Sequence, residues 1–155
     1  MLTVDINAQA PLPRILSEQQ LVCWAKHALL GDERGPNCEL AIAVVDEPSI
    51  RELNKNFRAI DKPTNVLAFA GASDTPGGNQ HLGDIVICAP VIEREAIAQH
   101  KPLDAHWAHM MIHGMLPLQG YDHINQTDAE AMEALEIELL AKINFPNPYE
   151  QQPLG

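Results

Sequence analysis

A helix drawn through Leu103–Leu116, LDAHWAHMMIHGML, has almost no side left for water. Trp107, Ala108, Met110, Met111, Ile112, Met115 and Leu116 fall around its axis, the pattern of a helix buried on most sides. The rest of the chain must supply its cover. At 155 residues there is enough chain for one domain with its own core, and too little for two comfortable ones.

That cover is legible in the hydropathy patterns. Leu2–Ile6 alternates apolar and polar residues, as a half-buried strand does. Ser17-Glu-Gln-Gln20 has capping-box spacing and opens an amphipathic stretch that reaches Gly31. Glu39–Asp46, ELAIAVVD, is apolar and β-branched, as a central strand would be. Ser49-Ile-Arg-Glu52 predicts a second capping box and a short helix to about Phe57. After the Lys62-Pro63 break, Val66–Ala70 and Leu82–Cys88 read as two more strands, separated by the loop GASDTPGGNQ. Beyond them the pattern is helical, over about Pro90–His100, Leu103–Leu116 and Thr127–Ile143, the last opened by a capping box at Thr127-Asp-Ala-Glu130. The tail NPYEQQPLG reads as frayed. The expected fold is α+β: one domain over residues 1–150 with a flexible tail at 151–155, and a small four-stranded mixed sheet packed with about five helices.

Composition narrows the function classes. No run approaches the roughly 18 apolar residues of a membrane span, and the first residues lack a basic segment followed by an apolar one, so neither a span nor a secretory signal is expected. Cys23, Cys38 and Cys88 are scattered, with no CxxC, as in a cytosolic chain with reduced thiols. A net charge of -11 argues against non-specific coating of nucleic acid but leaves room for a local basic cleft. Lys55, Arg58 and Lys62 supply one candidate, of the kind that holds a phosphate, although such residues are also ordinary solvated loop charges. The acidic stretch Asp128, Glu130, Glu133, Glu136 and Glu138 reads as the solvated face of an amphipathic helix.

The stretch HWAHMMIHGMLPLQGYDH gathers His106, His109, His113 and His123. A lone buried histidine is ordinarily a hydrogen-bonded core residue. His109 and His113, however, lie one turn apart on one face, and His123 follows a short turn that can fold it back over the helix end. Zinc asks for three or four such ligands, with one position left open to water in a catalytic site. The stretch does not read as a zinc protease of the H-E-x-x-H type, which would need Glu and His where Gly114 and Pro117 stand.

The block HGMLPLQGYDH, His113–His123, resembles the H-G-x-L-x-L-x-G-Y-D-H signature of the YbeY family of metal-dependent endoribonucleases. LNKNFRAIDKPTNVLAF (Leu53–Phe69), LGDIVIC (Leu82–Cys88), AHWAHMMIHG (Ala105–Gly114) and AEAMEALE (Ala129–Glu136) resemble further blocks of that family, in its order and spacing. The resemblance implies a cytoplasmic, single-strand-specific enzyme. It would act on rRNA of the small ribosomal subunit, in 16S rRNA 3′-end maturation and ribosome quality control, with no DNA or membrane as partner. It also implies one Zn2+ on a zincin-like metal helix and a functional arginine at Arg58. Of the family's three histidine ligands, the first matches His113, the third matches His123, and the second falls on Pro117. Ala68 stands where the family usually has serine.

Pro117 removes a donor nitrogen and the helical N–H, and in a helix interior proline costs about 3 kcal/mol or more. The helix is therefore expected to end or kink about a turn early. His109 could stand in, although it lies about 6 Å away along the axis at about 1.5 Å per residue. Asp122 or water could also complete a two-histidine site. The alternative reading is a catalytically impaired relative that keeps the fold and a ribosome-associated binding role.

Overall fold

The computed structural model describes residues 2–30, 37–71, 80–121 and 126–150. Strands β1 (Leu2–Ala8), β2 (Cys38–Val45), β3 (Val66–Ala70) and β4 (Gln80–Cys88) form one sheet in the order β1-β2-β4-β3. The β1–β2 and β2–β4 pairs are parallel, and β3 closes one edge antiparallel to β4. The expected mixed four-stranded sheet, with Glu39–Val45 at its centre, is what forms.

Among the described residues, five helices cover it: α1 (Glu18–His27), α2 (Glu47–Arg58), α3 (Ala89–Ala98), α4 (Leu103–Leu118) and α5 (Gln126–Lys142). The period-two alternation of β4 divides the core. Ile85 and Ile87 join the larger cluster with residues of α1, α4 and α5, while Val86 and Cys88 join Ile50 of α2 and Leu67 in the smaller one. The sheet thus carries α2 on one face and the bundle around α4 on the other. α4 is as enclosed as its composition requires, with Trp107, Met111, Ile112, Met115 and Leu116 fully buried.

Local chemistry sets the helix ends. Ser17 makes the expected capping box: its hydroxyl accepts from the Gln20 N–H (3.3 Å), and the Gln20 side chain accepts from the Ser17 N–H (2.8 Å). The second box moves back by one turn. α2 is capped by Asp46, whose Oδ1 accepts from the Ser49 N–H at 3.0 Å, so Ser49 lies in the first turn and not at the cap. Asp is as good an N-cap as Ser, and Pro48, which has no N–H to leave unpaired, fits the first turn that Asp46 opens. α5 already includes Gln126, which places Thr127 inside the first turn.

Pro117 does not end α4 early. The helix runs one residue beyond it, to Leu118. So near the C-terminus little of the hydrogen-bond ladder remains to be lost, and other donors serve the last carbonyls. Gln119 Nε2 donates to the Met115 carbonyl (3.0 Å), and the Tyr121 N–H donates to that of Leu116. Two glycines let α4 lie close to the sheet. A Cβ on Gly114 would press on Val66 and Ile85, and one on Gly83 would meet the Phe69 carbonyl oxygen at 2.4 Å and Leu118 at 2.6 Å.

Candidate functional site

Histidines at 106, 109 and 113 climb one side of α4, and each finds a carboxylate. His106 Nε2 lies 2.9 Å from Glu95 of α3, which also accepts from Asn65 Nδ2. This bond, against the opposing effect of burial, holds the Glu95 carboxyl below its usual range. Asn65 is thereby tied in place immediately before β3.

The deeper pair centres on Glu136 of α5. Its Oε1 accepts from His109 Nε2 at 2.6 Å, from the Tyr149 hydroxyl at 3.0 Å and from His113 Nδ1 at 3.2 Å. Burial alone would raise this carboxyl, but the bonds from His109 and His113 outweigh it and hold it down to about 2. Burial also lowers His109 despite its carboxylate partner, and burial, followed by the Glu136 charge, pushes the Tyr149 hydroxyl up. The result is an ionised carboxylate inside the protein, held by three donors from α4 and the C-terminal segment. Its second oxygen, Oε2, is buried without a hydrogen-bond partner among the described residues, as is His109 Nδ1.

His109, His113 and Glu136 bring their ligand atoms within 4.8 Å of one another, so this group could hold a metal ion. Two nitrogens and a carboxylate oxygen are a donor set that zinc accepts, and Oε2 leaves one donor to spare. The site is almost closed, however, with side-chain exposures of 9% for His109 and 1% for Glu136. An ion there would be shut off from any large substrate.

His113 also faces outward. Its side chain is one-third exposed, and it lines a cavity of about 110 Å³ with Arg58, Thr64, Asn65, Val66, Ala68, Gly114 and Pro117. At about 30 Å³ per water, this is room for three or four waters or a small anionic group. With Nδ1–H donating to Glu136, the neutral ring keeps its lone pair on Nε2, the arrangement in which a carboxylate orients a metal-binding histidine. Pro117 stands in the same wall and offers no donor.

Several sequence expectations can now be placed. Arg58 shares the His113 cavity. Lys55 does not: it lines a larger groove of about 650 Å³ along α2, together with Arg51, Glu47, Glu52 and Asp61. Lys62 is exposed, and its carbonyl accepts from Asn54 Nδ2 at 2.9 Å, which clamps the turn after α2. Asp122 and His123 lie outside the described residues, as does the tail from residue 151.

Glu136 is not part of a solvated acidic face. Asp128, Glu130, Glu133 and Glu138 are exposed, but Glu136 is fully buried, on the same stripe of α5 as Met132, Leu139 and Leu140. That stripe, at spacings of four, seven and eight from Met132, was the signal available in the sequence. Nor is the segment from Asn147 frayed throughout, because Tyr149 reaches back to Glu136.

Comparison with known proteins places this geometry in context. A family model described as Endoribonuclease YbeY matches residues 7–144. The chain is 44% identical over 148 residues to the Endoribonuclease YbeY of Cellvibrio japonicus, covering 96% of this chain and 83% of that protein. It is 46% identical over 153 residues to that of Alcanivorax borkumensis, covering 95% and 86% respectively. The solution structure of TM1509 from Thermotoga maritima is similar over 99% of both chains, with a TM-score of 0.54 and 26% identity.

Proposed function

Because the chain belongs to the YbeY endoribonuclease family, we propose that it is an endoribonuclease that hydrolyses RNA phosphodiesters at the cavity lined by Arg58 and His113. The observation that carries this reading is the meeting of a permanent cation and a part-exposed imidazole in one small cavity open to solvent. His113 would hold a metal there, oriented by Glu136, with His123 as second ligand and nothing from Pro117. We take the metal to be zinc, which when bound supplies Lewis-acid polarisation and water activation near neutral pH. Arg58 binds the phosphate oxygens and stabilises the negative charge that grows on them during attack. Lys55 and Lys62 add attraction for the strand on either side. The natural substrate on this reading is rRNA of the small ribosomal subunit, at the 16S 3′ end, in the cytoplasm.

One observation favours a second reading. Pro117 occupies the cavity wall where the family signature has a ligand, so an impaired relative that retains RNA or ribosome binding would look the same. Zinc content by elemental analysis, with cleavage of a single-stranded RNA by the unmodified chain and by Pro117→His, separates the two. The expected result is a weakly loaded, slow enzyme whose zinc affinity rises in Pro117→His by more than the ~10–100-fold typical of an outer-shell change. Stoichiometric zinc in the unmodified chain, with no gain in zinc or cleavage on substitution, would sink the idea of a depleted site. Cleavage found only in Pro117→His would make the impaired reading the right one for this chain.

A further inference from the structure

We propose that Phe57 is a stacking platform for an unpaired nucleobase of the RNA strand whose phosphate sits at Arg58; this rests on the RNA-cleaving reading above. Phe57 is 66% exposed at the last turn of α2, and Ile60 beyond it is 47% exposed, in a protein whose other core-sized apolar side chains are mostly buried. The ring is not loose. It meets Phe69 of β3 edge-on, with centroids 5.2 Å apart and planes at 61°, and Phe69 packs against the smaller core cluster. A ring braced at one edge and open over most of its surface is what a stacking platform requires.

Its neighbours specify the occupant. Residues 51–62 hold four of the chain's ten Lys and Arg residues. Arg51 is taken up by Asp61 at 2.8 Å, whereas Lys55, Arg58 and Lys62 form no ion pair among the described residues. In a chain of net charge -11, Arg58 and Lys62 place positive charge at and just beyond the end of α2, beside an exposed aromatic ring, while Lys55 shares its groove with Glu47, Glu52 and Asp61. Cations that follow a phosphate backbone, interleaved with an aromatic face, are the means by which proteins hold single strands without reading their sequence. A protein segment docking here would want a broad apolar patch instead.

Placement relative to the cavity fits one nucleotide step. β3 is the edge strand, and its side chains alternate between faces. Ala68 lines the His113 cavity, and Phe69, the next residue, meets Phe57 on the other face. Arg58 follows Phe57 directly, about 3.8 Å along the Cα trace. Ala59, in the left-handed conformation (φ 59°), ends α2 there and fixes how both side chains leave the helix. A strand crossing the β3 edge can therefore leave a phosphate at Arg58 and lay the adjoining base on Phe57. A paired base, stacked inside a duplex, could not reach it.

The test uses the full chain and a fluorescein-labelled decaribonucleotide in metal-free buffer, with either 2-aminopurine or an abasic site at each position in turn. Phe57→Ala is expected to weaken binding by about 5- to 100-fold while leaving the salt dependence unchanged, since no phosphate contact is lost. One abasic position should weaken the wild type equally and add nothing in Phe57→Ala, and Phe57→Trp should retain affinity. Arg58→Ala should instead flatten the salt dependence. Equal binding by Phe57→Ala and wild type, or a loss that persists on abasic RNA, overturns the proposal. Should Phe57→Ala fail to fold, the indole added by Phe57→Trp decides the matter: its fluorescence should be quenched by intact RNA and not by abasic RNA. Cleavage by a wild type that shows no base-dependent binding removes the platform alone. Base-dependent binding without cleavage removes the catalytic reading and keeps the platform.

Discussion

Two environments meet on the ring of His113. On its inner side lies the Glu136 network, where three donors converge on one buried carboxylate oxygen. On its outer side lies the cavity with Arg58 and Pro117, where groups are left for a ligand to use. The first is a closed electrostatic unit and should govern stability. The second is an open one and should govern chemistry. Substitutions that move stability and activity independently sharpen this division, and ones that move both together break it.

The largest stability effect is expected at Glu136. Glu136→Ala leaves His109, His113 and Tyr149 without their common acceptor, and should cost about 3–5 kcal/mol in urea denaturation, with Glu136→Gln intermediate. The same network sets an acid limb. The folded carboxyl is held near 2 against an unperturbed 4.5, so its contribution is complete above about pH 5 and disappears as pH falls towards 2. His109, also lowered, must take up a proton on unfolding below its ordinary value, and adds a loss of the same sign starting near pH 6.5. The wild type should thus lose on the order of 3 kcal/mol on acidification, and Glu136→Gln appreciably less. Matching acid limbs in the two proteins would show that the stability of the interior does not rest on this carboxylate.

Arg58 is the complementary case. Its side chain is exposed, so Arg58→Ala should change stability by no more than about 0.5 kcal/mol. Loss of the cation beside the reacting phosphate should lower kcat for RNA cleavage by about 100- to 1000-fold. A substantial loss of stability, or unchanged kcat, would place Arg58 on the wrong side of the division.

Much of the outer environment was legible because local rules fix it. The apolar circumference of α4, the signature from His113 onward and the segment carrying Arg58 are all short-range patterns. Glu136 was not legible by composition, since it sits in a run of acidic residues and differs from them only in helical phase with Met132 and Leu139. Spacing shows that His109 and His113 share a face, but not that Glu136 lies opposite and joins them in a group that could hold a metal ion. The cap of α2 lies at Asp46 and not at the expected Ser49, because the Asp46 carboxylate takes the Ser49 N–H. What escaped at His109 and Glu136 was a partner supplied from elsewhere in the chain.

Tyr149 is another of those partners, and it sets the smallest effect. Its ring stands edge-on to His109, with centroids 5.4 Å apart, and its hydroxyl supplies one of three bonds to Glu136. Tyr149→Phe keeps the ring contact and the two histidine donors, and removes the hydroxyl's bond to Glu136 with its longer 3.3 Å contact to His109 Nε2. The expected cost is therefore only about 1 kcal/mol in urea denaturation, with kcat for RNA cleavage unchanged. If the segment around Tyr149 were merely frayed, the substitution would cost nothing. If it altered kcat, the interior network would be coupled to the cavity through His113, and the two sides of that ring would have to be treated as one site.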